Sequence, residues 1–154
     1  MELSSILQPS AVKVLASLTS KKRLFQELGE IAAATYNLDG SAAFAALQER
    51  ETLGPTGVGH GVALPHARLH GLDQVVGCFI RVEKPFNFGA VDKQPVDLFF
   101  ALFAPEDSGV EHLKALALVS RTLRDQTICT KLRSNGDATT LHALLTDSLS
   151  NKAA

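Results

Sequence analysis

The chain has 154 residues, with fifteen Lys and Arg against sixteen Asp and Glu, for a formal charge of −1. A domain-sized chain that is 45% hydrophobic and 20% charged can bury roughly 70% of its unfolded surface, which excludes disorder and fibrous repeats. Near-neutral charge lacks the footprint of a general nucleic-acid binder. The longest apolar run, the seven residues Leu98 to Ala104, is far short of the roughly 20 that span a bilayer. Glu2 stands where a signal peptide would be positive, and Cys78 and Cys129 do not make a disulfide framework. Together these features predict a soluble, cytoplasmic protein forming a single domain over residues 1–154.

Val12 to Ala16 alternates loosely and predicts a first strand. Thr19 and Ser20 offer caps for a helix running through Leu24, Leu28 and Ile31 to about Tyr36. Asn37-Leu38-Asp39-Gly40 breaks it, and Asp39 can cap a second helix ending near Arg50. The glycine-rich stretch Gly54 to Gly61 leads into a short strand at Val62-Ala63-Leu64. Val75 to Val82 and Val96 to Phe103 predict two further strands, the second without a polar face and therefore covered on both sides. Ser108 and Glu111 spell a capping box for a helix whose apolar stripe is Val110, Leu113, Leu116, Ala117 and Leu123. A short helix around Ile128 to Leu132 and a last one capped by Asp137, through Leu141, Leu144 and Leu145, complete the chain. Helices before, between and after the strands predict a layered α/β domain on a mixed sheet.

The chemistry concentrates at Gly54-Pro55-Thr56-Gly57-Val58-Gly59-His60-Gly61 and the following Val62-Ala63-Leu64-Pro65-His66. Four glycines in eight residues leave backbone N–H groups unshielded, the raw material of an anion-binding nest or simply of a tight turn feeding a strand. The stretch is neither a Walker A loop nor a dinucleotide fingerprint. Pro65 fixes its own φ and extends Leu64, so the strand is expected to stop there and present His66 at a defined place. Neutral imidazole can attack a phosphoryl group at pH 7 without a separate base. It then needs donors and positive charge for the transferred oxygens, for which Arg50, Thr56, Arg68 and the glycine amides are the nearest candidates. His112 falls in the first turn of its helix, where a bound anion meets a donor and a dipole together. Arg50 as a solvated helix-end charge and His112 as a surface histidine are the plain alternatives. His60, His66 and His70 raise a metal site, which the missing His-Glu-x-x-His pattern and Pro65 disfavour. No Gly-x-Ser-x-Gly elbow is present.

The stretch Thr56 to His66 resembles the phosphorylation-site motif of the enzyme IIA proteins of the bacterial phosphotransferase system, fructose/mannitol type, and is most similar to the nitrogen-regulatory branch. Arg50-Glu51, Gln94-Pro95-Val96-Asp97-Leu98-Phe99-Phe100-Ala101-Leu102 and Glu111-His112-Leu113 support the match across nearly the whole chain. The resemblance implies a three-layer α/β/α sandwich on a mixed β-sheet. It implies that His66 accepts a phosphoryl group on Nε2 from a phosphorylated histidine carrier protein, with His112 and Arg50 stabilising it. Thr56, Gly57, Gly59 and Gly61 are candidates for a phosphate loop, and no cofactor or metal is called for. Regulatory targets such as potassium-transport proteins or sensor kinases would read the phosphorylation state; no nucleic acid or membrane span is involved. An apolar rim for the donor is expected around His66, with Val58, Leu64 and Leu69 as candidates. A sugar-specific enzyme IIA feeding a permease, a non-catalytic anion-binding module and a metallohydrolase are the rival readings.

Overall fold

The computed structural model describes the backbone of residues 1–153 and the side chains of residues 1–147. After a 3-10 turn at Leu3–Ser5 come β1 (Leu7–Leu15), α1 (Lys21–Tyr36) and α2 (Gly40–Thr52). Three short strands follow, β2 (Gly57–Gly59), β3 (Val62–Ala63) and β4 (His66–Leu69), then two long ones, β5 (Val76–Phe86) and β6 (Val96–Pro105). The chain closes with α3 (Val110–Leu123), α4 (Gln126–Arg133) and α5 (Ala138–Ala153). The sheet runs β1-β5-β6-β3-β2, with β4 also paired to β6. It is mixed: β1 lies parallel to β5, β5 antiparallel to β6, and β3 and β4 parallel to β6. The helix pair α1–α2 and the group α3–α4–α5 cover its two sides, giving the expected three-layer α/β/α sandwich.

Helix ends follow local side-chain chemistry. Ser20 accepts from Arg23 N–H, and Asp39 accepts from the N–H groups of Ser41 and Ala42, each satisfying donors that a first turn leaves without partners. Asn37 ends α1 in the left-handed region at φ 57°, a conformation asparagine tolerates better than most residues. The capping box predicted at Ser108 does not form. The N-cap of α3 is Gly109 with no side-chain cap, and the Ser108 hydroxyl is buried without a partner. Glu111, instead of reaching back, sits 3.7 Å from Lys114.

All ten residues of β6 are buried, as a central strand with helices on both faces requires. Around it the aromatic rings interlock: Phe88 meets Phe99 edge-on at 5.2 Å and Phe25 at 5.9 Å, and Phe86 stacks on Phe99 at 5.6 Å. Such pairs add about 0.5–1.5 kcal/mol each beyond the area they bury. β1 starts five residues before its predicted start at Val12, and β5 runs on to Phe86. The strand is interrupted at Leu64-Pro65 as expected, with β3 ending at Ala63 and β4 starting at His66, but the register on β6 carries across: Val62 lies opposite Leu98 and His66 opposite Leu102. The Pro65 carbonyl still accepts from Leu102 N–H at 2.9 Å. Proline removes only a donor from the ladder, so β3, which has β2 on its other side, and β4 follow one line along β6, and His66 opens the second half.

Candidate active site

His66 is half-buried at the start of β4. Its Nδ1 lies 2.9 Å from the Leu64 carbonyl oxygen. A carbonyl only accepts, so Nδ1 carries the proton and Nε2 keeps the free lone pair. Arg50 agrees with that tautomer, since its Nε–H donates to His66 Nε2 at 3.2 Å. The Arg50 guanidinium is braced from its other side by Nη1 donating to the Gly54 carbonyl at 3.0 Å.

His112 stands third in α3, and its ring centroid is 5.5 Å from that of His66, with the planes at 71°. It is only 6% exposed, and its Nε2 is buried with no hydrogen-bond partner. A buried ring nitrogen without a protein partner costs about 1–3 kcal/mol, so the protein's own groups leave this nitrogen's hydrogen-bonding capacity unused. Both imidazoles are held neutral. Burial lowers the His66 pKa, with the Arg50 charge adding to it. Burial, together with the charges around His66 and Arg68, pushes His112 down to about 4.

These groups share a cleft of about 500 Å³ between α2, β4 and α3. Glu49, Arg50, His66, Arg68 and His112 supply its polar lining, and Leu53, Leu113 and Leu116 its apolar wall. Arg68 is tethered by Nε–H donating to the Ser108 carbonyl at 3.1 Å. A larger hollow of about 850 Å³, beside residues 72–75 and the start of α3, contains neither imidazole.

The structure thus brings Arg50, His66 and His112 together. It does not bring in Thr56, Gly57, Gly59 or Gly61, none of which lines the cleft. Thr56 gives both its N–H and its hydroxyl to the Glu51 carboxylate. His60 and Gly61 form the two-residue turn between β2 and β3, with φ at 58° and 78°, the double positive φ that a type I′ hairpin turn demands. A Cβ on Gly61 would sit 2.5 Å from Arg133 Nη2. The glycines therefore let this hairpin close against protein groups, away from the cleft that holds His66. His60, whose N–H donates to Asp92 at 3.1 Å, is a turn residue. His70 is exposed and pairs with Glu106 at 2.9 Å. His60, His66 and His70 do not gather, and among the described residues no group of three His, Cys, Asp or Glu side chains is placed to hold a metal.

Leu64 and Leu69 are buried at 6% and 7% exposure, and Val58 lines a different hollow beside the hairpin. The rim is instead Leu53 and Leu113, 80% and 68% exposed, the two most exposed large hydrophobic residues among those described. The predicted stripe of α3 is rotated accordingly. Its buried face is His112, Ala115, Leu118, Val119, Thr122 and Leu123, while Val110 and Leu113 face solvent. Leu53 carried a signal in the sequence: it is an apolar residue just past the last turn of a helix, where nothing in the periodic pattern calls for one.

The family model for the phosphoenolpyruvate-dependent sugar phosphotransferase system, EIIA 2, matches residues 5–148. A nitrogen regulatory protein of Bradyrhizobium diazoefficiens is 43% identical over 145 residues, spanning 94% of this chain and 95% of the relative. That of Escherichia coli K12 is 39% identical over 148 residues, spanning 96% and 91%. The crystal structure of nitrogen regulatory protein IIA-Ntr from Neisseria meningitidis superposes with a TM-score of 0.85 at 38% identity, covering 92% of this chain and 97% of that one. The mannitol IIA of Escherichia coli, 18% identical over 90% and 97% of the two chains, shares the fold with a TM-score of 0.75. Among the described residues no helix is long and apolar enough to cross a membrane. The chain belongs to the EIIA type 2 family of the phosphoenolpyruvate-dependent phosphotransferase system and within it is similar to the nitrogen regulatory proteins.

Proposed function

We propose that the chain is a phosphocarrier in which His66 Nε2 takes a phosphoryl group from a phosphohistidine of a small carrier protein. The observation that carries this reading is the fixed tautomer: the Leu64 carbonyl holds the proton on Nδ1, so Nε2 is unprotonated and its lone pair, which accepts from Arg50 Nε–H, is the one available to attack. In the transfer, that lone pair forms the new N–P bond while the donor's N–P bond breaks and its electron pair returns to the donor imidazole. The charge developing on the His66 ring is stabilised through Nδ1–H by the Leu64 carbonyl. Arg50 Nε–H loses the ring nitrogen as acceptor and gains a phosphoryl oxygen in its place. His112, neutral and with Nε2 unpartnered, supplies a second donor in its Nε2–H form. These groups are set before the reaction, so they cost no reorganisation during it.

Two protein histidines approaching in line need a desolvated interface, and the exposed Leu53 and Leu113 provide apolar surface for it. Phosphorylation then places about −1.5 to −2 charges inside the same rim. A regulatory target that docks on the rim reads that charge without any large change of shape in the carrier. Potassium-transport proteins and sensor kinases are the targets the family resemblance implies, and the chain acts as a stoichiometric member of the transferase class, in the cytoplasm.

Intact mass after incubation with a phosphorylated histidine carrier tests the reading. The parent gains one acid-labile phosphoryl group and His66→Ala gains none. An adduct that persists in His66→Ala overturns the assignment of the nucleophile.

A further inference from the structure

Glu51 is buried beside Arg50, and no step above uses it. Its side chain is 5% exposed and receives three hydrogen bonds: Thr56 N–H at 3.2 Å, the Thr56 hydroxyl at 2.5 Å and Lys21 Nζ at 3.0 Å. Lys21 also lies over the Phe88 ring, 4.7 Å from its centroid. One carboxylate thus ties the last turn of α2, the first turn of α1 and the start of the glycine stretch into a block.

The turn between Glu51 and Thr56 is closed from both ends. Leu53 and Gly54 donate their N–H groups to the Arg50 and Glu51 carbonyls at 3.1 and 3.2 Å, and the Glu51 carboxylate grips Thr56. Inside this turn lies the Gly54 carbonyl, which accepts from Arg50 Nη1 while Arg50 Nε reaches His66. A free arginine side chain has rotamer entropy to lose when it is fixed. A planar guanidinium with one edge on a fixed acceptor has its remaining donors aimed.

We propose that Glu51 is the positioning residue of this site: its carboxylate fixes the 53–56 turn, so that the Gly54 carbonyl holds the Arg50 guanidinium against His66 Nε2. The inference rests on the phosphocarrier reading for what Arg50 is used for, and not for where it is held.

The titration of His66 separates positioning from a purely structural anchor. The charged and titratable groups around His66 are Arg50, Glu51, Arg68 and His112, with Glu49 also lining the cleft and left unchanged in every variant. Arg50 and Arg68 hold its pKa down and the Glu51 charge holds it up. Removing the Glu51 charge alone therefore moves the His66 titration down, whereas releasing Arg50 moves it up. The experiment is an NMR titration of the His66 ring in the unphosphorylated full chain, for the parent, Arg50→Met, Glu51→Gln and the double variant. The expected result is an upward shift in Glu51→Gln that follows Arg50→Met. In the Arg50→Met background, the same substitution produces no upward shift. A downward or null shift from Glu51→Gln with Arg50 present overturns the proposal. Should Glu51→Gln not fold, the isosteric Thr56→Val, which removes one of the three bonds, decides the matter. A smaller upward shift supports positioning, and an unmoved titration overturns it.

Transfer from a phosphorylated histidine carrier or from phosphoramidate provides the second readout. Glu51→Gln slows it about tenfold, as a misplaced group does, and slows Arg50→Met no further, the mark of two residues acting through one contact. If neither donor labels the parent, the functional reading fails, and the titration alone still decides where Glu51 holds Arg50.

Discussion

His60, in the turn between β2 and β3, and His66, at the start of β4, stand six residues apart, and the structure treats them in opposite ways. Around His60 the polar groups are matched. Its N–H donates to Asp92, its carbonyl accepts from Arg133 at 2.9 Å, and Arg133 grips Asp97 through Nε and Nη2 at 2.9 Å each. Around His66 the opposite holds. A neighbouring imidazole nitrogen has no protein partner, two leucines lie exposed, and His66 Nε2 is met by a single arginine. Regions built for stability satisfy their donors and acceptors within the chain. A region built to receive a group leaves donors and apolar surface for that group and its carrier, at a cost in stability.

The sharpest way to break this contrast is His112→Leu, which replaces the imidazole by an apolar side chain of comparable size. The orphaned nitrogen disappears, so unfolding by denaturant shows a gain of about 1 kcal/mol at neutral pH. Phosphoryl transfer to His66 falls by roughly 10²–10³, the loss typical of one preorganised donor. A protein both more stable and slower is the signature expected; equal transfer rates remove His112 from the mechanism. The substitution also changes how stability depends on pH. With its folded pKa at about 4 against an ordinary value of 6.5, His112 binds its proton more readily in the unfolded chain. Stability is complete above about pH 6.5 and declines as pH falls towards 4. His66, also lowered by burial, contributes in the same direction. In His112→Leu the decline over this window becomes shallower, which denaturant midpoints measured from pH 7 to pH 4.5 read directly.

The opposite result is expected at the hairpin. Asp97→Ala leaves the Arg133 guanidinium without its carboxylate. Removing one partner of a buried ion pair costs about 3–5 kcal/mol. Because the Arg133 side chain is 32% exposed, water recovers part of that, and about 2 kcal/mol is expected from denaturant unfolding. Transfer per folded molecule stays at the parent rate, because neither residue lines the cleft. A fall in transfer beyond the loss of folded protein shows that the two regions are mechanically joined.

The placement of His66 and Arg50 was legible in the sequence because it depends on near neighbours in the chain. A proline sets the backbone before His66, and a helix ending at residue 52 leaves Arg50 in its last turn, one short stretch away. The glycines were not legible in the same way. Unshielded amides look alike whether an anion or a protein group approaches them, and what approaches here, Ala90, Asp92 and Arg133, comes from distant parts of the chain. α3 was misread in phase for a related reason. Val110, Leu113, Leu116 and Ala117 form a stripe as regular as the true core face. Periodicity reports that a face is apolar, not whether its partner is the protein's own sheet or another molecule. Only the packing of α3 on β6 fixes which face turns inward.

That second stripe yields the smallest effect, and the one closest to partner choice. Leu113→Ser and Leu53→Ser replace side chains already in water, so folded stability changes by no more than about 0.5 kcal/mol. Each leucine that an incoming donor covers contributes about 1.5 kcal/mol or more when fully buried, so each substitution weakens capture of the donor by about tenfold. The weakening appears as a raised donor concentration for half-maximal rate, with the rate at saturation unchanged, because neither leucine touches the phosphoryl group. A small donor such as phosphoramidate, which needs no docking surface, labels these variants at the parent rate. If phosphoramidate labelling falls together with carrier-dependent labelling, the leucines shape the cleft itself, and the division between a docking rim and a chemical centre does not hold.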